Sequence, residues 1–176
     1  MRRVRYSVAM SVDGYIAGPN GEIDWILMDP EIDFAAMFGR YDTVLLGRRT
    51  YELTLTQGGE GGMQGMKAVV FSRTLRAADH PDVTLVAEDA GGAVEALRDR
   101  PGKDIWLMGG GVLFRSLLDA RQVDEVEIAV IPVLLGAGIP MLSPPARQAR
   151  LRLTASRTLK ATGIILLDYA VEYDTA

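Results

Sequence analysis

The chain has 176 residues, 48% hydrophobic and 24% charged, with 19 Lys and Arg against 23 Asp and Glu for a net charge of −4. That balance excludes a disordered chain and provides no global positive field, so neither a nucleic acid nor a membrane surface is expected as a partner. The absence of cysteine excludes a disulfide framework, a thiolate metal site and a cysteine nucleophile together, and a chain whose only histidine is His80 is a poor candidate for zinc, so no metal is expected.

A chain of this length should bury roughly 70% of its unfolded surface, enough for one real core, and a single domain over residues 1–176 is expected. No apolar run reaches membrane-spanning length, and MRRVRYSVAM leads straight into a strand pattern, so a cytoplasmic protein is expected. Val4 to Val12 reads as a buried first strand that stops at the turn signal Asp13-Gly14. A loop with apolar Tyr15, Ile16 and Ala17 follows, closed by Gly18-Pro19-Asn20-Gly21. Helical spacing runs from Glu31 to Met37, with Pro30 suited to a helix start. Thr43 to Leu46 is a short strand that Gly47 closes, after which RRTYELTL turns into a helix. TQGGEGGMQGM, with five glycines, reads as an irregular loop.

Further strands are expected at Lys67 to Phe71, Val83 to Val86 and Ile105 to Met108, with helices at Ala90 to Asp99 and Val112 to Leu118. Strands alternating with helices imply an α/β fold with a mostly parallel sheet covered on both faces. The last strands, Glu125 to Val133, Leu151 to Leu159 and Ile164 to Tyr173, have no comparable helices between them. That end of the sheet should be antiparallel.

Three strand exits carry suspicious chemistry: Gly47-Arg48-Arg49-Thr50, Ser72-Arg73-Thr74 and Gly109-Gly110-Gly111. In open α/β sheets ligands collect at the carboxyl ends of strands, where helix N-termini offer N–H groups to anions. Glycine bares those amides and Arg adds a planar charged fork, so a ligand with several phosphates is implied. Two familiar phosphate motifs fail. A Walker A loop needs Lys and Ser or Thr where Val112-Leu113 stand, and the dinucleotide fingerprint needs a glycine at Phe114.

The segments VAMSVDGYIAG, DTVLLGRRTYE, VVFSRT, IWLMGGGVLFRSLL and VDEVEIAVIPVLLGAGIPML, in that order, resemble the dihydrofolate reductase-like superfamily. The branch they are most similar to is the reductase domain of bacterial riboflavin biosynthesis. The resemblance implies a mixed sheet of about eight strands, NADPH as hydride donor, and a homodimer paired through its sheets. It places Gly47, Arg48, Arg49 and Thr50 at the adenosine-side phosphates and Ser72 and Arg73 at the 2′-phosphate. Gly109, Gly110, Gly111, Val112 and Leu113 would lie along the pyrophosphate and nicotinamide ribose, with a cis peptide between Gly109 and Gly110. Backbone of Ala9 and Ile16 would meet the carboxamide, and Asp13 to Asp24 would close over it.

By the same resemblance Asp33 is the candidate proton source, and Trp25, Phe34 and Met37 the candidate acceptor pocket, although helical spacing also suits Phe34 and Met37 to a core. Trp106 reads as packing. Two departures argue against folate: no Arg stands between Glu52 and Lys67 to hold a carboxylate tail, and Ala129 replaces the threonine that supports a pterin. The expected function is therefore reduction of a small planar or sugar-bearing acceptor. The alternative is a nucleotide-binding or structural homodimer without turnover.

Overall fold

The computed structural model describes residues 1–56 and 65–173, so most of the expected glycine-rich loop lies outside the described residues. Ten strands and four helices run in the order β1 (Val4–Ser11), β2 (Tyr15–Ala17), α1 (Phe34–Gly39), β3 (Tyr41–Gly47), α2 (Arg48–Thr56), β4 (Lys67–Phe71), β5 (Thr84–Val86), α3 (Ala90–Arg98), β6 (Asp104–Gly109), α4 (Gly111–Asp119), β7 (Glu125–Ile131), β8 (Ile139–Pro140), β9 (Arg150–Thr158) and β10 (Ile165–Glu172). Eight form one sheet, ordered β5-β4-β3-β6-β1-β7-β10-β9, and β2 pairs with β8 beside it. Every neighbour from β5 to β7 is parallel, whereas β10 is antiparallel to both β7 and β9.

The expected α/β class and antiparallel end are both present, because apolar runs such as Val44-Leu45-Leu46 must be covered on two faces. All three are fully buried, and their alternation splits them: Leu45 packs with α4 residues Leu113, Phe114 and Leu117, while Val44 and Leu46 pack with Tyr51 of α2 and Trp106. Trp106 is the packing residue expected, stacked on Tyr41 and tilted against Phe38, with its indole N–H on the Ser7 carbonyl. Among the described residues no helix is long and apolar enough to cross a membrane.

The first helix departs from expectation. It runs Phe34–Gly39 rather than Glu31 to Met37, because Asp33 is its N-cap and accepts the Ala36 N–H at 2.9 Å. Pro30 does not open the helix. It lies in a turn held by buried Asp29, which accepts the Glu31 N–H at 2.8 Å and the Thr162 hydroxyl at 2.6 Å.

Candidate functional site

The parallel strands put all three suspicious exits on one edge. Gly47 pairs with Phe71, and Leu46 with Gly109, so the turns after β3, β4 and β6 are neighbours. Next to them the sheet splits. β1 pairs with β6 only from Val4 to Tyr6, whereas its pairing with β7 continues to Ser11. From Ser7 onward β1 and β6 diverge towards the glycines, leaving the β6-facing edge of β1 around Ala9 unpaired.

Each glycine in the run has its own neighbour. A Cβ on Gly109, whose φ is +118°, would touch the Tyr6 ring, and one on Gly111 would lie 2.5 Å from the Pro140 carbonyl oxygen. Only Gly110 is half-exposed, with the Gly109–Gly110 peptide cis. A Cβ on Gly47 would stand 3.7 Å from the Gly110 nitrogen, so two bare backbones face each other across the exits. Among the described residues no side chain caps α4, and the Phe114 N–H bonds the Gly110 carbonyl at 3.1 Å as the helix opens. The amides before it are the orphan donors of a helix start. Val112 is exposed, while the Leu113 side chain belongs to the core.

The cationic groups differ in availability. Arg48 is spent partly on Glu52, one turn along α2, at 2.9 Å. Arg49 and Arg73 are exposed, and Thr50 is half-buried beside Gly110. Ser72 is buried and its hydroxyl accepts the Thr74 and Leu75 N–H groups, which shapes the turn that presents Arg73.

The residues expected around an acceptor lie on and beside the β1 face that carries Ala9. Ala9, Ala129 and Leu166 form one row, and half-buried Trp25 packs in the same apolar cluster. Phe34 and Met37 are half-buried on α1, with Phe34 stacked on Phe38. Ile16 sits on β2, whose pairing with β8 ties down the first half of the Asp13 to Asp24 loop. The near end is clipped by Asp13, which accepts the Ser11 hydroxyl and the Leu135 and Gly136 amides. Those bonds, the Ser11 hydroxyl first, hold its carboxyl below the usual range. Asp33 is exposed, and one oxygen is occupied by its own helix.

Because Asn caps nearly as well as Asp, Asp33→Asn is expected to leave both melting temperature and turnover close to wild type. A fall in turnover of about a hundredfold would instead make it the acid.

A charged network at the foot of this face is absent from the expectations. Arg5 bonds Asp104 at 2.8 Å, Glu127 at 3.0 Å and also Glu125, and Arg40 grips both Glu127 oxygens at 2.9 and 2.8 Å. Burial alone would raise the Glu127 carboxyl, but Arg40 and Arg5 more than offset it and hold it below its ordinary range. The sequence carried a signal: charges at every second position inside strand-like runs, RRVR and DEVEI, put ions on one sheet face. Two open concavities, of about 600 Å³ beside Arg2 and Arg98 and about 390 Å³ beside Arg121 and Tyr173, lie away from the exits.

Residues 2–165 match the family described as the RibD C-terminal domain. The Bacillus subtilis protein YyaP is 31% identical over 96% of this chain and 94% of its own, and YwjB of the same organism 32% identical over 89% and 91%. A putative riboflavin biosynthesis protein from Shewanella superposes with a TM-score of 0.82 at 23% identity, covering 98% of this chain and all of that one. Dihydrofolate reductase from Enterococcus faecalis, complexed with NADP(H), superposes at 0.70 and 16% identity over 97% of each chain. These likenesses establish a dihydrofolate reductase-like fold, and the match over nearly its whole length makes the chain a member of the RibD C-terminal domain family.

Proposed function

We propose that the chain is an NADPH-dependent reductase of a small planar or sugar-bearing acceptor, akin to riboflavin-pathway reductases. The observation that carries this reading is the split between β1 and β6, flanked by three amide-rich or arginine-bearing exits. The residues fit a phosphorylated dinucleotide: a Cβ would fill the space between Gly47 and Gly110, and the α4 amides are uncapped. When bound, NADPH supplies a hydride. The protein's part is to grip phosphates at α2 and α4, read the 2′-phosphate with Arg73, and offer the β1 edge to the carboxamide. Asp13 and the β2–β8 pair hold the closing loop, which excludes water and presses donor and acceptor together.

Titration of NADPH by tryptophan fluorescence, then absorbance of the reduced nicotinamide with folates, ribitylaminopyrimidines and quinones, tests the reading. No NADPH binding would overturn it, and binding without oxidation by any acceptor would favour the non-catalytic alternative. A charge-assisted bond is worth about 1.5–3 kcal/mol, so Arg73→Ala is expected to weaken NADPH by roughly 10–100-fold and leave NADH little changed. Equal losses for both coenzymes would remove Arg73 from the 2′-phosphate.

A homodimer through the other sheet face belongs to the same proposal. Ile165, Leu167, Tyr169 and Val171 alternate on it, opposite Leu151 and Leu153, and Leu153 is 51% exposed. Size-exclusion chromatography should give a dimer, and Leu153→Asp a monomer.

A further inference from the structure

We propose that Asp168 reads the far end of the hydride acceptor, as the one carboxyl of the charged network left able to hydrogen-bond a ligand. This rests on the proposed reductase reading and adds a residue to it. Paired strands carry opposite residues on one face, so Ser7, Glu127 and Asp168 form the row next to Ala9, Ala129 and Leu166. A step of one such row is about 7 Å, and β10 lies two strand spacings, roughly 10 Å, from β1. An acceptor reacting above Ala9 therefore reaches Asp168 with its distal end, not with its reacting atom.

The rest of the network is committed. Glu127 accepts Arg5 and Arg40 on one oxygen, and Arg40 and the Tyr41 hydroxyl on the other. Asp104 and Glu125 bond Arg5, and Glu125 also bonds Arg3. Among the described residues the Asp168 carboxyl has no such bond. Its main-chain carbonyl, by contrast, accepts the Thr154 hydroxyl at 2.9 Å.

The charges facing it are Glu125 and Glu127 from β7, Arg5 from β1 and Arg40 after α1. From β9 it meets Ala155, with Arg157 one pair along and turned to Glu31 at 3.3 Å. Arg3, Arg5 and Arg40 thus oppose four carboxyls, so the network balances when one carboxyl is neutral. Burial raises the Asp168 carboxyl and Glu127 raises it further, and with no arginine bonded to it among the described residues it is the carboxyl of the four that keeps a proton most readily. A neutral acid donates a hydrogen bond to a carbonyl or ring nitrogen, and its ionised form repels an anionic end. The class selected is an acceptor with a neutral, lone-pair-bearing distal edge.

The test uses wild type, Asp168→Asn and Asp168→Leu. In an infrared pH titration the wild type should show a protonated-carboxyl stretch that persists to higher pH than those of the other carboxyls and that Asp168→Asn lacks. Binding of dihydrofolate, a ribitylaminopyrimidine and menadione to the NADP-saturated protein is then followed by tryptophan fluorescence. Asp168→Leu should weaken the best neutral probe about tenfold, the loss of one hydrogen bond, while Asp168→Asn, which keeps a donor, stays near wild type. Raising the pH should weaken binding in the wild type and not in Asp168→Asn.

A folded-state pKa above the unfolded one means stability is lost as pH rises through it, so Asp168→Asn should gain on wild type in melting temperature as the pH rises through that window. That advantage should fade towards acid pH. No difference in the carboxyl stretch, equal probe binding by wild type and Asp168→Leu, or no probe bound by the wild type would each overturn the assignment. NADPH affinity should be the same in all three proteins, and failure of all three to bind it would condemn the reductase reading instead.

Discussion

Glu127→Ala is expected to destabilise the protein by about 2–4 kcal/mol, the cost of removing a buried acceptor on which Arg5, Arg40 and the Tyr41 hydroxyl converge. For a chain of this size that corresponds to a fall in melting temperature of roughly 5–15 °C. The Glu127 side chain is 10% exposed and Arg5 16%, so water cannot easily replace the lost oxygens, and two bonds to Arg40 and one from Tyr41 disappear as well.

The pH dependence has a definite sign. A carboxyl held below its ordinary range contributes stability that is present at neutral pH and lost as pH falls through its folded-state value, so wild type and variant should converge in acid. Replacing Glu127 and Arg40 together by Leu should recover much of the loss, because Arg5 retains Asp104 and Glu125. Thermal melts across pH measure all three, and a Glu127→Ala melt within a few degrees of wild type at neutral pH would show the network to be solvated.

The sheet was legible because its signals are local. Val44-Leu45-Leu46 and Ile105 to Leu107 are buried runs bounded by glycine or charge, and they became β3 and β6 within a residue or two. The exits were legible for the same reason, since glycine and arginine after a strand state their chemistry in three or four letters. The start of α1 was not. Helical spacing cannot say whether Asp33 caps the helix or lies inside it, and that was decided by Asp29 and Thr162, 133 residues apart in sequence. The divergence of β1 from β6 was also hidden, because it depends on where two ladders stop, which no single strand encodes. Asp168 does not stand out within its own strand, which also carries Glu172. Only its register opposite Glu127 gives it meaning.

Gly111→Ala should damage both the fold and the proposed coenzyme site, and comparison with Gly47→Ala separates the two effects. A methyl on Gly111 would lie 2.5 Å from the Pro140 oxygen and 2.9 Å from the Met141 oxygen, both main-chain atoms that cannot rotate away. Nor can β8 retreat freely, since the Tyr6 hydroxyl holds the Met141 carbonyl at 3.1 Å and the Met141 N–H bonds Gly14 at 3.0 Å. The start of α4 must shift instead. Overpacking of this kind costs about 1–3 kcal/mol, and displacing the amides by a few tenths of an ångström should weaken NADPH roughly tenfold or more.

A methyl on Gly47 meets its neighbours at 3.5 to 3.8 Å, ordinary contact, so that variant should melt like wild type. Yet it stands over the Gly110 amide and should lose coenzyme affinity all the same. Wild-type stability in Gly111→Ala would contradict the packing of α4 on β8, and wild-type affinity in Gly47→Ala would mean that the space between β3 and β6 is not where phosphate is held.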